Sequence, residues 1–355
     1  MCGCPTISST VRGRIRSGSG TREGSRAAAA RKRSPVCLPL GMYVGIGRIL
    51  TFARSRFMKA TLHRGSDKDD TVRPMKTVGL VPRIDKDFAA DLAREMVRWL
   101  EERGYEAVVE AESRVSGVPT APGCDIAARA DLLVVLGGDG TLIHAAGLCN
   151  QREVPILGVN MGTLGFLTEF PHERAFPMLE KALEGELTAS RRLMLSVEVR
   201  RGSEVLLAGA VLNDAVVSKN ALSRLATLEV SIDGRPATSY EADGLIVATP
   251  TGSTAYSLSA AGPIILPTHD AILLTPICPH TLTQRPLVVP PSAQVKVRLA
   301  SPGEMFVTLD GSRGRPLELG EEVWLQTAPH RTLILRNPEV DHFTILRQKL
   351  SWGTR

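Results

Sequence analysis

The sequence predicts an α/β protein in two parts, a doubly wound, Rossmann-like N-terminal domain and an all-β, sandwich-like C-terminal domain. Two patterns predict this. From Met75 to about residue 187, short apolar strands alternate with helical patterns. From Leu193 onward, strands and turns follow one another without long helices. A chain of 355 residues suits about two domains. We expect domains at 75–187 and 188–330, with 331–355 closing back on the first.

The first domain begins with a strand and an amphipathic helix. The helix has one apolar face, because four apolar residues recur every four positions: Phe88, Leu92, Met96 and Leu100. The expected elements are, in order, a strand at 77–82, a helix from 88 to about 104, strands at 106–110 and 132–136, a helix through 146, a strand at 154–159 and a helix at 175–183. This alternation is typical of a parallel sheet covered on both faces.

The second domain shows runs of β-branched and apolar residues separated by turn residues. The expected strands are 193–199, 206–217, 228–232, 295–299 and 306–309, and a closing helix is expected at 342–350. An all-β domain is the simplest architecture for this run of strands.

The most informative segment is Gly137-Gly138-Asp139-Gly140-Thr141, which follows a continuous apolar strand. Its glycines let the backbone approach a ligand, and the start of the next helix favours a phosphate. Asp139 would repel a phosphate unless it holds Mg²⁺ or accepts a hydroxyl proton, so phosphoryl transfer is indicated. The alternative is a tight strand-to-helix connection with Asp139 or Thr141 as the N-cap. The segment is neither a Rossmann nucleotide fingerprint nor a P-loop.

Two further stretches carry candidate site residues. Asn160 to Leu167 forms a second glycine-rich turn, which is either a second wall of the crevice beside Asp139 or simple tight packing. Asp243 to Ser259 crowds hydroxyls among small residues, which suits a flat ring, and Tyr256 offers a stacking face. Alternatively, this is a polar loop with Tyr256 in the core.

The net charge of +6 is misleading about partners. Residues 1–74 contain 15 Lys and Arg but 4 Asp and Glu, and the remainder carries a net charge of −5. No nucleic-acid partner is therefore expected for the core. Residues 1–74 are predicted to be disordered, and they are interpreted as a solvated tail or a misassigned start before Met75, with a transit segment or polyanion-binding arm as alternatives.

The remaining composition favours a soluble, cytoplasmic protein without a membrane partner. No window approaches the ~20 apolar residues that span a bilayer. The six cysteines form no Cys-x-x-Cys pair, which indicates a reducing compartment. Cys2 and Cys4 lack the further ligands that a four-ligand metal site requires.

Taken together, the motifs resemble the NAD kinase family over about residues 75 to 353. The matching segments are 137–141, 160–167, 212–217, 243–259, 279–282, 285–288, 309–311 and 346–350, in family order. The Gly-Gly-Asp-Gly-Thr segment alone is shared with diacylglycerol, sphingosine and phosphofructo-kinases. The Asn213-Asp214 pair and the Thr-Gly-Ser-Thr-Ala-Tyr stretch narrow the resemblance to NAD kinase.

The resemblance implies transfer of the ATP γ-phosphoryl group to the 2′-hydroxyl of the adenosine ribose of NAD, with Mg²⁺ required. Asp139 would act on that hydroxyl, and Gly137, Gly138, Gly140 and Thr141 would bind phosphates. Mg²⁺ would be held through the phosphates and Asp139 rather than by a dedicated protein cage. The residues implied to bind NAD are Asn213, Asp214, Asp243, Thr254, Ala255, Tyr256 and Ser259; further candidates are Asn160, Gly162, Phe166 and His280.

The sequence leaves several alternatives open. A lipid or other small-hydroxyl kinase of the same superfamily would have an apolar acceptor pocket, whereas a non-catalytic sensor would bind NAD or NADP without turnover. ATP or polyphosphate as donor, and NAD or NADH as acceptor, stay undecided, and the family resemblance suggests a homo-oligomer. One departure from the family pattern is Ala261 in Ala260-Ala261-Gly262-Pro263, where glycine is common. We expect its methyl group to crowd the adenine pocket.

Overall fold

The computed structural model describes residues 75–149, 152–220, 225–281 and 283–352. The expectations for residues 1–74, including Cys2 and Cys4, lie outside this part of the chain. Among the residues described, no helix is both long and apolar enough to cross a membrane. The cytoplasmic location stays a prediction.

The N-terminal domain is an α/β domain built on a mainly parallel sheet. Its elements are β1 (Thr77–Pro82), α1 (Asp87–Glu101), β2 (Glu106–Glu110), β3 (Thr120–Ala121), α2 (Gly123–Arg129), β4 (Leu132–Gly137), α3 (Asp139–Leu148), β5 (Pro155–Asn160), β6 (Phe170–Pro171), α4 (Ala175–Leu183) and β7 (Ala189–Arg192). The sequence did not predict β3, α2, β6 and β7, which are short or polar.

The C-terminal part contains two antiparallel sheets. Its elements are β8 (Leu195–Arg201), β9 (Glu204–Val211), β10 (Asp214–Lys219), β11 (Ala226–Ile232), β12 (Arg235–Ala242), β13 (Gly244–Ala248), α5 (Tyr256–Ser259), β14 (Ile272–Ile277), β15 (Leu287–Val289), β16 (Val295–Leu299), β17 (Met305–Leu309), β18 (Arg313–Leu317), β19 (Glu322–Thr327), β20 (Thr332–Leu335) and α6 (His342–Leu350).

The parallel sheet has the order β3-β2-β1-β4-β5-β20-β7, with β6 also paired to β5. One face packs against α1 and α4 around Met96 and Leu179, and the other packs against α2 and α3 around Ile126 and Leu142. The chain runs outward from β1 through β2, then returns to β4 on the other side of β1. Ligands in open α/β sheets bind at such a reversal, outside the carboxyl ends of the strands.

The all-β part is a sandwich of two six-stranded sheets, ordered β15-β14-β13-β10-β17-β18 and β12-β11-β16-β19-β8-β9. Both sheets contribute to one buried cluster, in which Val217 and Val307 come from the first sheet and Val197 and Val297 from the second. The predicted fold class, an α/β domain followed by a β-sandwich, is thus confirmed. The chain then returns to the first sheet, where β20 lies parallel to β5.

Helix α1 follows the predicted pattern with one correction. Leu92, Met96 and Leu100 are buried, each contributing on the order of 1.5–3 kcal/mol by leaving water. Phe88 is 52% exposed, so its inclusion in the apolar face was wrong. It occupies the first turn, where its ring lies nearly perpendicular to the His172 ring with the centroids 5.0 Å apart. The helix ends before Gly104, whose φ of +81° suits glycine.

The predicted single strand over 206–217 was also wrong, because the structure divides it into β9 and β10. At the break, the N–H groups of Leu212 and Asn213 each donate to the Asp310 carboxylate at 2.8 Å rather than to a neighbouring strand. The apolar run masked this interruption, which depends on a residue about 100 positions away. The interruption displays Asn213 at the edge of the sheet.

Candidate active site

The glycine-rich turn connects β4 to α3, and glycine stands at its three positions for different structural reasons. A Cβ on Gly137 would lie 2.7 Å from the Thr141 Cβ, so this position must be glycine for packing. A Cβ on Gly138 or Gly140 would meet nothing within 4 Å, and neither has a positive φ. These two glycines therefore leave open space above the turn, as a ligand cradle requires.

The start of α3 presents free donors to that space. The N-cap is Gly138 and no side chain caps the helix, so the alternative with Asp139 or Thr141 as N-cap was wrong. The first bond to close a helical turn runs from Leu142 N to Gly138 O at 3.1 Å. The N–H groups of Asp139, Gly140 and Thr141 precede it and have no acceptor within the helix. Such a helix start attracts anions.

The Asp139 carboxylate is held by the second glycine-rich turn. Oδ1 accepts hydrogen bonds from Leu167 N at 3.0 Å and from Thr168 N and Oγ1 at 3.1 and 3.2 Å. Oδ2 accepts one hydrogen bond, from Phe166 N at 2.8 Å. A Cβ on Gly165 would overlap Oδ1. The carboxylate is therefore fixed in position, and Oδ2 keeps one lone pair for another partner.

The remaining candidates of the second turn lie at the same edge of the sheet. Asn160 is buried at the end of β5, in register with Gly137, and its Oδ1 accepts a hydrogen bond from Gly162 N at 2.9 Å. A Cβ on Gly162 would meet nothing within 4 Å. The structure thus brings the two glycine-rich turns together, and Asn160 shapes the second.

Three cations surround the cleft between these turns, and the sequence reasoning missed them. The cleft has a volume of about 270 Å³, and its wall includes Arg83, Lys86 and Lys349 beside Gly138 and Asp139. Arg83 and Lys86 follow β1 at the topological reversal, where basic residues could have been sought. Lys349 comes from α6, and only the fold could place it here. Arg83 is ion-paired with Asp85, yet the three cations still outnumber the Asp139 and Asp85 carboxylates, which suits an anion.

A second part of the site is built around Asp214, which is 6% exposed. Burial, with a smaller contribution from the Asp310 carboxylate, raises the pKa of Asp214 to about 7. Asp310 lies at the β17–β18 turn, and its carboxylate accepts hydrogen bonds from three backbone N–H groups, those of residues 212, 213 and 214. Burial also raises the pKa of Asp310. A strongly perturbed carboxyl group of this kind marks a candidate functional site.

The segment after β13 lies directly on Asn213. Thr249 Oγ1 donates to Leu212 O at 2.5 Å and accepts from Gly252 N at 3.1 Å. A Cβ on Gly252 would lie 2.6 Å from the Asn213 carbonyl carbon, so the two backbones touch. The Oδ1 atom of Asn213 is buried without a hydrogen-bond partner in the described part of the chain. A buried acceptor without a protein partner is suited to a hydrogen bond from a bound ligand.

The predicted ring-binding residues lie just beyond this contact. Thr254 and Ala255 are half-buried and Ser259 is exposed. Tyr256 is 46% exposed, so the alternative that places it in the core was wrong. Leu212 and Leu167 belong to one buried cluster, which links the Asn213 segment to the turn that holds Asp139.

Ala261 ends the short helix α5 in a left-handed backbone conformation. It has a φ of +62° and follows α5 in a Schellman ending, in which Ala261 N donates to Leu258 O at 3.0 Å and Gly262 N to Ser257 O at 2.8 Å. Its side chain is exposed. The close approach occurs at Gly262, where a Cβ would lie 2.8 Å from Ser257 O. The effect of the Ala261 methyl group on the adenine pocket stays a prediction, and the observed cost of this residue is backbone strain.

Asp243 and His280 lie at the opposite end of β13 from Thr249. At about 3.3 Å per residue, the strand separates Asp243 from Thr249 by roughly 20 Å. The Asp243 carboxylate pairs with Lys219 Nζ at 2.9 Å. His280 is exposed, and its backbone N–H donates to Glu241 O at 2.8 Å. The structure therefore does not bring these two residues together with Asp139, and their binding roles stay predictions.

Comparison with known proteins agrees with this geometry. The ATP-NAD kinase N-terminal domain matches residues 78–187, and the ATP-NAD kinase C-terminal domain matches residues 212–337. The NAD kinase of Geotalea daltonii is 46% identical over 284 residues, which cover 79% of this chain and 100% of that protein. The NAD kinase of Geobacter sulfurreducens is 45% identical over 288 residues, with the same coverage.

Two solved structures share the fold. Yeast NADH kinase complexed with NADH superposes with a TM-score of 0.74 at 27% identity, covering 80% of this chain and 90% of that one. An NAD kinase from Archaeoglobus fulgidus shares the fold with a TM-score of 0.62 at 24% identity, covering 78% and 98%. The domain matches and relatives rule against the lipid-kinase alternative. The chain therefore belongs to the NAD kinase family and is a kinase.

Proposed function

We propose that this chain transfers the γ-phosphoryl group of ATP to the 2′-hydroxyl of the adenosine ribose of NAD, producing NADP. The observation that carries the proposal is the Asp139 carboxylate, which is fixed by four donors and keeps a lone pair on Oδ2 beside a cationic cleft. Such a carboxylate can accept the proton of a bound hydroxyl group and hold its oxygen in line for attack.

The donor phosphates would occupy the cleft above Gly138 and Gly140. The free N–H groups of the first turn of α3 donate to phosphate oxygens, and Arg83, Lys86 and Lys349 neutralise charge. A loose phosphoryl-transfer transition state depends mainly on alignment and charge neutralisation. The role of the turn is therefore to hold the donor still while Asp139 orients the acceptor.

The residues present fit Mg²⁺ bound mainly by substrate. Mg²⁺ commonly uses one or two carboxylates plus phosphates and waters. In the cleft, Asp139 supplies one carboxylate oxygen with a free lone pair, and among the residues that the structure describes no group of three or more His, Cys, Asp or Glu side chains could hold a metal ion. When bound, Mg²⁺ would neutralise charge on the transferring phosphoryl group.

NAD would lie across the Asn213–Asp214 segment. The unpaired Asn213 Oδ1 suits the exocyclic amino group of adenine, and Asp214 suits paired ribose hydroxyls because a carboxylate accepts two donors. Tyr256 offers an exposed ring for stacking, beside Thr254, Ala255 and Ser259. We assign the nicotinamide end to the Asp243 and His280 side. A homo-oligomer is also expected.

The test is NADP formation by the full-length protein with NAD, ATP and Mg²⁺, compared with Asp139→Asn and Thr168→Val. Asp139→Asn should lose activity by about 10² or more, because its NH₂ group can accept neither the hydroxyl proton nor a hydrogen bond from Phe166 N. Thr168→Val removes a single 3.2 Å bond to Oδ1 and should lose little.

Parallel assays with NADH and polyphosphate decide the acceptor and the donor. If the folded protein binds NAD but forms no NADP with any donor, the sensor alternative replaces this proposal. Full activity in Asp139→Asn would likewise overturn the role assigned to that carboxylate.

A further inference from the structure

A buried carboxylate lies directly behind the turn that holds Asp139. Glu169 follows Thr168, whose N–H and hydroxyl groups donate to the Asp139 carboxylate, and it is only 2% exposed. A carboxylate at this depth is costly unless it is paired and hydrogen-bonded. Glu169 does not line the phosphate cleft, so substrate binding does not explain its presence.

The partners of Glu169 come from the segment between β20 and α6. Its Oε1 lies 2.6 Å from Arg336 Nε, and its Oε2 accepts a hydrogen bond from Asn337 N at 3.0 Å. The buried Asn337 side chain also donates, through Nδ2, to the Glu169 backbone carbonyl at 3.3 Å. Both the side chain and the backbone of Glu169 are thus fastened to a residue 168 positions further along the chain.

The same segment meets the first domain at a second point and leads to the cleft. Glu339 pairs with Arg174, which lies shortly after β6, and Glu339 N donates to Asn337 Oδ1 at 3.1 Å. α6 follows and carries Lys349 to the phosphate cleft. One segment therefore joins the turn that holds Asp139 to the helix that supplies Lys349.

We propose that Glu169 is a positioning residue for phosphoryl transfer, which holds the second glycine-rich turn so that the Asp139 carboxylate faces the acceptor hydroxyl group. Arg336 and Asn337 fix Glu169 in turn. The inference rests on the proposed function. One peptide bond separates Glu169 from Thr168, so a shift of the Glu169 backbone moves the donors that hold Asp139. Misplacement of a reacting group by about 1 Å can cost about 10² in rate.

Glu169→Gln tests this assignment because it keeps the size of the side chain and replaces one acceptor oxygen by an NH₂ donor. That NH₂ group faces either Arg336 Nε or Asn337 N, so one of these two donors loses its acceptor. Arg336→Ala removes the cationic partner outright. Arg336→Lys keeps a positive charge on a long side chain and serves as the conservative variant.

Glu321→Gln is the matched control, in the turn between β18 and β19. Glu321 is 1% exposed, and like Glu169 it combines an arginine partner with a backbone donor. Its carboxylate accepts hydrogen bonds from Arg315 Nη1 at 2.7 Å and from Glu318 N at 2.9 Å. It does not line the phosphate cleft, so its replacement disturbs an equally buried ion pair at a distance from the proposed chemistry.

The first measurement is steady-state NADP formation by the full-length variants. Glu169→Gln and Arg336→Ala should lower kcat about tenfold, while the KM for ATP and the KM for NAD change by less than about twofold. Arg336→Lys should restore part of the loss, and Glu321→Gln should lower Tm without lowering kcat. Each kcat is expressed per NAD-binding site counted by calorimetric titration, because a loss of folded protein would otherwise imitate a loss of rate.

Amide hydrogen exchange supplies a second measurement that needs no turnover. In Glu169→Gln, the N–H groups of Phe166, Leu167 and Thr168 should exchange faster than in the wild-type protein, whereas in Glu321→Gln they should not. Unchanged exchange at these positions, an unchanged kcat, or an equal loss of kcat in Glu321→Gln would each overturn the proposal. If the wild-type protein forms no NADP, yet exchange rises only in Glu169→Gln, the kinase proposal fails and the hold of Glu169 on the turn survives.

Discussion

Replacing Ala261 by glycine should stabilise the protein. Ala261 has a φ of +62°, a left-handed conformation that costs a residue with a Cβ about 1–2 kcal/mol. Glycine removes this strain but adds about 0.4–1 kcal/mol of unfolded-state entropy. Because the Ala261 side chain is exposed, little packing is lost. The net gain should be about 1 kcal/mol, which raises Tm by about 2 °C for a folded part of this size.

The neighbouring Ala260 provides the matched control. It has an ordinary φ of −89° and packs partly against the cluster around Ile246. Ala260→Gly gains no strain relief, so it should lower Tm by about 1 °C or more. Calorimetry of both variants measures the difference, and the two shifts should have opposite signs. A lower Tm for Ala261→Gly than for the wild type would refute the strain argument, and a higher KM for NAD would show that the methyl group contacts the ligand.

Three other outcomes are expected. Gly165→Ala should reduce NADP formation by about 10² because its Cβ displaces the Asp139 carboxylate. Gly138→Ala has open space at its Cβ, so it should keep the fold and raise mainly the KM for ATP. Equal kinetics in the two variants would contradict this difference. The folded-state pKa of Asp214, about 7, lies above its usual 3.8, so its contribution to stability should fall as the pH rises from about 4 to 7 and level off above. Asp214→Asn should remove this decline, as measured by urea unfolding across that pH range. An unchanged slope would count against the raised pKa of Asp214. The hydrogen bond to Glu110 raises the pKa of His144 above 6.5 and so stabilises the fold at low pH, an effect that is lost as the pH rises through the folded-state pKa. In an NMR titration, Glu110→Gln should return the pKa of His144 toward 6.5. An unchanged pKa would exclude the coupling between the two side chains.

The local part of the site could be predicted from the sequence, but its assembly could not. The turn at Asp139 follows a continuous apolar strand, so its place at the end of β4 was readable from neighbouring residues. The contacts of Asp310 with residues 212–214 join positions about 100 apart, and no local pattern encodes them. Lys349 reaches the cleft only because α6 returns to the first domain. Periodicity finds elements, whereas these contacts depend on tertiary packing.

The break between β9 and β10 shows the same limit. Leu206 to Val217 is apolar enough overall to be read as one strand, although Asn213 and Asp214 have low β-propensity and were a local signal of the break. The interruption occurs because the Asp310 carboxylate offers the backbone N–H groups a charged acceptor, which forms stronger hydrogen bonds than a neutral carbonyl. Asn213 was predicted as a binding residue, but its place at a break between two strands was not predicted.

The position of β20 constrains the order in which this protein can mature on the ribosome. β20 (Thr332–Leu335) covers the edge of β5 (Pro155–Asn160), yet it is synthesised more than 170 residues later. β6 pairs with only the last two residues of β5, so until then the nascent first domain presents an unpaired edge at Pro155 and Ile156, which is the kind of surface that promotes aggregation. The sandwich must emerge before that edge is sealed. Chaperone dependence during synthesis should therefore end when Leu335 leaves the exit tunnel, rather than when the first domain does.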